Sequence, residues 1–170
     1  SAEVRLEFLA PADDDLLPTG MPQDLLEAPG AAPVAATLIA AGRPMVFVRA
    51  DALGLDGREP ADRLGRNRRL LERLEALRML AAVRMGLAET VADAARRQAH
   101  APWIAWVARP ATPRARAGEA GAAHVDLLLR VLASGRLQAV LDADAAIAAA
   151  AAAALPGTVV AAVARTLPGV

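Results

Sequence analysis

An α+β fold in a single domain is what this sequence predicts, and three features predict it. Short apolar runs with period-2 alternation, or with β-branched and aromatic content, recur along the chain. One stretch changes to the 3.6-residue period of an amphipathic helix. A smooth alanine run, Ala145 to Ala154, is ended by Pro156-Gly157. With 170 residues, 55% of them hydrophobic, the chain can bury one core and lies within the roughly 50 to 250 residues typical of a domain.

Taken in order, Val4, Leu6 and Phe8 alternate with Arg5 and Glu7, the pattern of a half-buried strand. Pro11, Asp13-Asp14-Asp15 and Pro18-Thr19-Gly20 mark a turn-rich loop, and Pro29-Gly30 marks another. The apolar runs Pro33 to Ala40 and Met45 to Ala50, separated by Gly42-Arg43-Pro44, read as a hairpin-like strand pair. From Arg66 the spacing predicts a helix: Leu70, Leu74, Leu77, Ala81 and Met85 form one apolar stripe, with Arg68, Arg69 and Glu72 outside it and Gly86 as the stop. Trp103 to Val107, between Pro102 and Pro110, reads as a strand whose tryptophans serve the core. Residues 111–122 are small, polar and Gly-containing, hence a loop, while Val125 to Leu132 suits either strand or helix. The alanine run is entered through Asp142-Ala143-Asp144, and Thr158 to Val163 beyond it is strand-like. Alanine is the best helix former and keeps a helix narrow, which suits one enclosed by strands.

Composition excludes several functions. The uncharged run Ala145 to Gly157 is shorter than the roughly 20 apolar residues of a bilayer span, and no basic segment followed by an apolar core opens the sequence. A cytoplasmic location is the expectation. The formal net charge is zero, and the basic stretch from Asp62 to Arg73 is offset by Glu72 and Glu75 on one helical pattern, so neither nucleic acid nor membrane is an expected partner. There is no cysteine, and all 19 basic residues are arginine, which removes thiol nucleophiles, thiolate metal sites and Schiff-base lysines from these residues. His100 and His124 have no acidic partner at ligand spacing, no Gly-rich phosphate loop appears, and no metal or cofactor is expected.

The segments VRLEFLAP, LLPTG, PVAATLIAAGRPMVFVRADALGL, LLERLEALRMLAAVRMGLA, PWIAWVARP, SGRLQAV and LPGTVV stand in an order that resembles the methylaconitate isomerase (PrpF) family, which includes oxalomesaconate tautomerases, across nearly the whole chain. The resemblance implies the diaminopimelate epimerase-like fold. In it, two pseudo-symmetric domains, each a β-barrel wrapped round a central helix, flank an active-site cleft. The helix Ala145 to Ala154 resembles the second domain's central helix, with its N-terminus facing the cleft. Residues 1–170 then resemble most of the C-terminal domain, with the first domain, which carries the proton-transferring cysteine and lysine, and the last strands outside this chain. The implied function is that of a cofactor-independent isomerase or tautomerase acting by proton transfer on small unsaturated di- or tricarboxylates. A homodimer is compatible with it. The alternative is a non-catalytic scaffold domain acting in ligand or protein association.

Carried over residue by residue, the resemblance selects the helix mouth. Ala143-Asp144-Ala145-Ala146 stands where the family commonly has glycine-threonine-glycine-alanine, and Asp142 stands where related epimerases place a cysteine. Asp142 is the one catalytic candidate, although a carboxylate is poorly matched to a C–H acid. Helix capping is the simpler expectation for both Asp142 and Asp144, since Asp is among the best N-caps. Arg43, in place of the family's asparagine before proline, could clamp a carboxylate bidentately; a solvated turn residue is the favoured reading. Met21 replaces an asparagine after the LPTG turn, whose Thr19 and Gly20 serve the turn first and a ligand second. The substrate-binding candidates are therefore Asp144, Ala145, Arg43, Gly20 and Met21.

Overall fold

The computed structural model describes residues 16–96, 101–110 and 125–166. The expected strand at Val4 to Phe8, the acidic run Asp13 to Asp15, the 111–122 loop and both histidines lie outside them. The described strands are β1 (Asp24–Leu26), β2 (Val34–Ala41), β3 (Arg43–Arg49), β4 (Trp103–Ala108), β5 (Val125–Asp126), β6 (Leu128–Ala133), β7 (Arg136–Leu137) and β8 (Arg165–Thr166). The helices are α1 (Ala61–Arg66), α2 (Arg68–Arg84), α3 (Val91–Arg96), α4 (Ala143–Ala154) and α5 (Val159–Val163). Six strands form one sheet in the order β1-β2-β3-β4-β6-β7, and β5 pairs with β8 in a second sheet.

The large sheet is mixed, because β3 and β4 run parallel while its other neighbours are antiparallel. A parallel pair needs a crossover, and the segment between β3 and β4 supplies it with α1, α2 and α3. That crossover covers one face of the sheet. On this face Leu38, Val46, Val48, Ile104 and Trp106 pack with Leu70, Leu74, Leu77 and Ala81 of α2. On the other face Ile39, Met45, Phe47, Ala105 and Val107 pack with the alanines of α4 and with Val159, Val160 and Val163 of α5. Successive residues of β3 and β4 thus enter opposite cores, which explains why MVFV and WIAWV read as unbroken apolar runs. The open α+β sheet between two helical layers is the architecture of the described residues.

The strand pair expected around Gly42-Arg43-Pro44 forms, with Ala41 opposite Arg43 across a left-handed Gly42 at φ +80°. Helix α2 carries the expected stripe but starts at Arg68 rather than Arg66, because the Asn67 side chain accepts the Leu70 N–H at 3.1 Å and caps it there. Arg78 adds a charge to its buried side. This guanidinium takes both oxygens of Glu75 at 2.8 and 2.7 Å and donates to the Ala94 and Ala101 carbonyls, so it ties α2 to α3 and to the entrance of β4. Of the two alternatives for Val125 to Leu132, the strand is realised, split as β5 and β6.

One expectation is overturned. Thr158 to Val163 is not a strand: Val159–Val163 is helical, and Thr158 is its N-cap. The Thr158 hydroxyl accepts the Ala161 N–H at 3.0 Å and donates to the Ala152 carbonyl at 2.6 Å, closing the end of α4 and the start of α5 with one side chain. Val159 N–H donates to Thr37 Oγ1 on β2 at 3.0 Å. These local caps and the burial of Val159, Val160 and Val163 outweigh the strand propensity of the valines.

Leu74 is fully buried beneath the sheet. Leu74→Ala is expected to destabilise the fold by about 2 to 5 kcal/mol, through lost transfer energy and a residual cavity. Urea unfolding checks this, and a loss under about 0.5 kcal/mol, typical of surface positions, would contradict the packing.

Candidate functional site

The N-terminal mouth of α4 lies against the β2–β3 turn. A Cβ built on Gly42 would come 3.8 Å from Asp144 Oδ1, so the turn and the first helical turn are neighbours in space. Asp142 is the N-cap: its extended backbone (φ −68°, ψ 144°) precedes the helix, and its Oδ1 accepts the Asp144 N–H at 2.9 Å. The helix consequently begins at Ala143, two residues before the expected start at Ala145. Asp144 does not cap. It sits in the first turn, where its charge complements the positive end of the helix dipole.

Arg43 opens β3 and shares the α4 face of the sheet with Met45 and Phe47, following the strand's two-residue period. Met45 lies opposite Trp103 in the parallel pair, which brings the first residue of β4 under the Arg43 side chain. The guanidinium carbon stands 3.8 Å from the centre of the Trp103 ring. Such stacking contributes roughly 0.5 to 2 kcal/mol and holds the guanidinium plane. Nη2 approaches Asp144 Oδ2 at 3.7 Å, an ion pair but longer than a hydrogen bond. Nε is buried without a partner. The Arg43 side chain is 31% exposed, so the solvated-turn expectation is corrected: stacking on Trp103 shelters it. Trp103 is likewise more than core, since only Trp106 is fully buried.

The other candidates fall elsewhere. Ala145 has no exposed surface and packs in the core on the α4 face, so its methyl does not line the mouth. Gly20 closes a turn by donating its N–H to the Leu17 carbonyl at 2.8 Å, and Met21 is 55% exposed beside it. Their loop is anchored at the far end of α4: Gln23 Nε2 donates to the Gly157 carbonyl at 2.7 Å, and the Pro22 carbonyl accepts from Thr37 Oγ1 at 2.7 Å. A 12-residue helix is about 18 Å long, so the structure joins Arg43 and Asp144 but not Gly20 and Met21 to them. Gly157 itself has a left-handed φ of +83°, which favours glycine, and a Cβ there would press on the Pro22 ring at 3.3 Å.

Val140 and Leu141, both exposed, give the approach to the Asp142 cap an apolar edge. Asp51, at the opposite end of β3 from Arg43, is held below the usual carboxylate range by hydrogen bonds from Arg49, and so belongs to the strand end rather than to the mouth. Among the described residues no group of three or more His, Cys, Asp or Glu side chains is placed to hold a metal ion, and no helix is long and apolar enough to cross a membrane. Sequence reasoning missed Trp103 as a site residue. Its signal, a tryptophan opening an apolar strand, says nothing of which arginine will lie over it.

Residues 1–168 match the PrpF protein family. The chain belongs to that family. It is 42% identical over 167 residues to a 2-methyl-aconitate isomerase of Shewanella oneidensis, an alignment covering 94% of this chain and 42% of that protein. A 2-methyl-aconitate isomerase of Cupriavidus necator is 40% identical with the same coverage, and a 3-methylitaconate isomerase of Eubacterium barkeri is 29% identical over 155 residues, covering 88% of this chain and 40% of the relative. A crystal structure of a methylitaconate-delta-isomerase superposes with a TM-score of 0.80 at 28% identity, over 92% of this chain and 41% of that one. This PrpF chain therefore spans about 42% of the length of the 2-methyl-aconitate isomerases it matches.

In this PrpF chain the Asp142 cap has a direct test. Asp142→Ala is expected to lower stability by about 1 kcal/mol, whereas Asp142→Asn and Asp144→Ala should each leave the cap in place. Thermal unfolding of the three variants checks the assignment, and an Asp144→Ala loss equal to that of Asp142→Ala would reverse it.

Proposed function

We propose that this PrpF protein is a cofactor-independent isomerase that shifts a double bond, or its geometry, in a small unsaturated di- or tricarboxylate. The observation that carries the reading is Arg43. Its guanidinium is positioned by Trp103 at the mouth of α4 and makes no hydrogen bond among the described residues. A planar fork of N–H donors beside a helix N-terminus suits a carboxylate. The 2-methyl-aconitate isomerases at 42% and 40% identity support the choice of ligand class.

In this reading a base removes a proton from the carbon next to the double bond. The released electron pair delocalises through the alkene toward a carboxylate, whose oxygens take up the negative charge. Arg43 and the positive end of α4 stabilise that charge where it develops, and a proton returns to a different carbon. Asp142 is an unsuitable base, since its Oδ1 already serves the helix and the side chain stands in water. The family resemblance puts a proton-transferring cysteine and lysine on the first domain, and this chain contains neither residue, so the proton-transferring residues are assigned to the rest of the protein. The chain is read as most of the second domain of a two-domain protein, with the described sheet forming part of a diaminopimelate epimerase-like barrel round α4. Its coverage of about 42% of those relatives supports that division.

A non-catalytic scaffold is the second reading, favoured by one observation: Asp144 places a negative charge beside Arg43 where an anionic substrate would bind. Proton exchange separates the two. The whole protein is expected to exchange the allylic protons of trans-aconitate or an itaconate in deuterated water, followed by NMR, while the 170-residue chain alone does not. Exchange by the chain alone would overturn the assignment of the chemistry to the other part, and no exchange by the whole protein on any such acid would leave the scaffold. In the active protein Arg43→Gln is expected to reduce kcat/KM by about a hundredfold, as a charge-assisted hydrogen-bonded contact worth roughly 3 kcal/mol is lost. Unchanged kinetics would remove Arg43 from the site.

A further inference from the structure

The pairing of Arg43 with Asp144 has a consequence for which acids the mouth accepts, and it rests on the proposed role of that mouth in binding carboxylates. We propose that Asp144 is a charge-selecting counter-ion: Arg43 accepts one ligand carboxylate on its open donors, and Asp144 beside it makes the site favour dicarboxylates over tricarboxylates.

The geometry separates neutralisation from occupation. Asp144 Oδ2 is 3.7 Å from Nη2, close enough to offset the guanidinium charge but too far to take up an N–H donor. Arg43 has five N–H donors, none with a hydrogen-bond partner among the described residues, and Nε is buried. A ligand carboxylate can thus be received while Asp144 remains in place. Trp103 keeps the guanidinium from turning away, since the ring lies under it at 3.8 Å. Asp144 is also held, because its backbone N–H is bound to Asp142 Oδ1 in the first helical turn.

Charge then discriminates between ligands. Arg43 contributes one positive charge to the mouth, while Asp144 and Asp142 contribute two negative ones, partly offset by the helix dipole. The first carboxylate is received by Arg43. Each further carboxylate is repelled by Asp144 without a matching gain, and a tricarboxylate carries one more than a dicarboxylate. The Asp144 side chain is 49% exposed, so solvent weakens the effect without abolishing it.

Calorimetric titration of the whole protein with succinate and with tricarballylate, saturated acids that do not turn over, tests this directly. The wild type is expected to bind succinate more tightly. Asp144→Asn, which keeps size and helix position, should tighten tricarballylate roughly three- to tenfold more than succinate. Raising salt to about 0.5 M should narrow the wild-type preference, because the discrimination is electrostatic. Arg43→Gln should abolish binding of both. Equal effects of Asp144→Asn on the two acids, a wild-type preference for tricarballylate, or no detectable binding of either would overturn the proposal. Should the Asn variant fail to fold, the salt series on the wild type decides, and a preference independent of salt overturns it. Altered selectivity without proton exchange on any unsaturated acid would sink the isomerase reading alone; exchange with unaltered selectivity would sink this proposal alone.

Discussion

The close approach of α4 to the sheet is the constraint on which the rest of the structure depends. Ala145, Ala148, Ala149, Ala151 and Ala152 are buried against a surface of Ile39, Met45, Phe47, Val107 and Val131, so the bulk in that core comes from the sheet and from the α5 valines, and α4 contributes little. Interiors pack near crystal density, so a larger side chain on the buried side of α4 would force the helix outward or strain its neighbours. Because the helix lies so near, its first turn reaches the β2–β3 turn. Gly42 suits the meeting through its backbone, a left-handed φ of +80° that favours glycine.

The two ends of α4 are built differently. At the C-terminal end, Thr158 closes both α4 and α5, Thr37 bridges Pro22 and Val159, and Gln23 holds the Gly157 carbonyl. Thr37 and Thr158 are buried, where hydrogen bonds are costly to leave unmade. At the N-terminal end the only cap is Asp142, and the neighbouring charges are half exposed. One end of α4 is therefore anchored to the sheet and to α5, while the other is reached by solvent.

At that mouth the relative sizes of the interactions matter. The ion pair between Arg43 and Asp144 is partly exposed and beyond hydrogen-bond length, so it contributes about 0 to 1 kcal/mol, whereas the stack on Trp103 reaches roughly 2 kcal/mol where it is desolvated. Trp103 therefore positions the guanidinium, and Asp144 mainly tunes its charge. Glycines would let an anion approach a helix backbone closely; here the first turn has Asp144 and a core-facing Ala145 instead, with the Arg43 guanidinium on the adjacent strand beside them. This PrpF chain shares the fold of the methylitaconate-delta-isomerase it superposes on, and its own helix entrance carries Asp142, Asp144 and Arg43.

Much of this was legible in the sequence because periodicity and punctuation act locally. The α2 stripe, the paired strands about Gly42, the strand at Trp103 and the alanine helix ended by Pro156-Gly157 each follow from side-chain spacing and from backbone preferences that neighbours barely modify. Thr158 to Val163 misled, because strand propensity is weak evidence where a threonine cap and burial decide the outcome. Tertiary structure alone decided which acid caps α4, that the Gly20–Met21 loop stands at the other end of that helix, and that Trp103 lies beneath Arg43. The last depends on the parallel register of β3 and β4, strands separated by three helices in sequence; no local pattern encodes which of their residues meet, since that is set by how the whole crossover packs on the sheet.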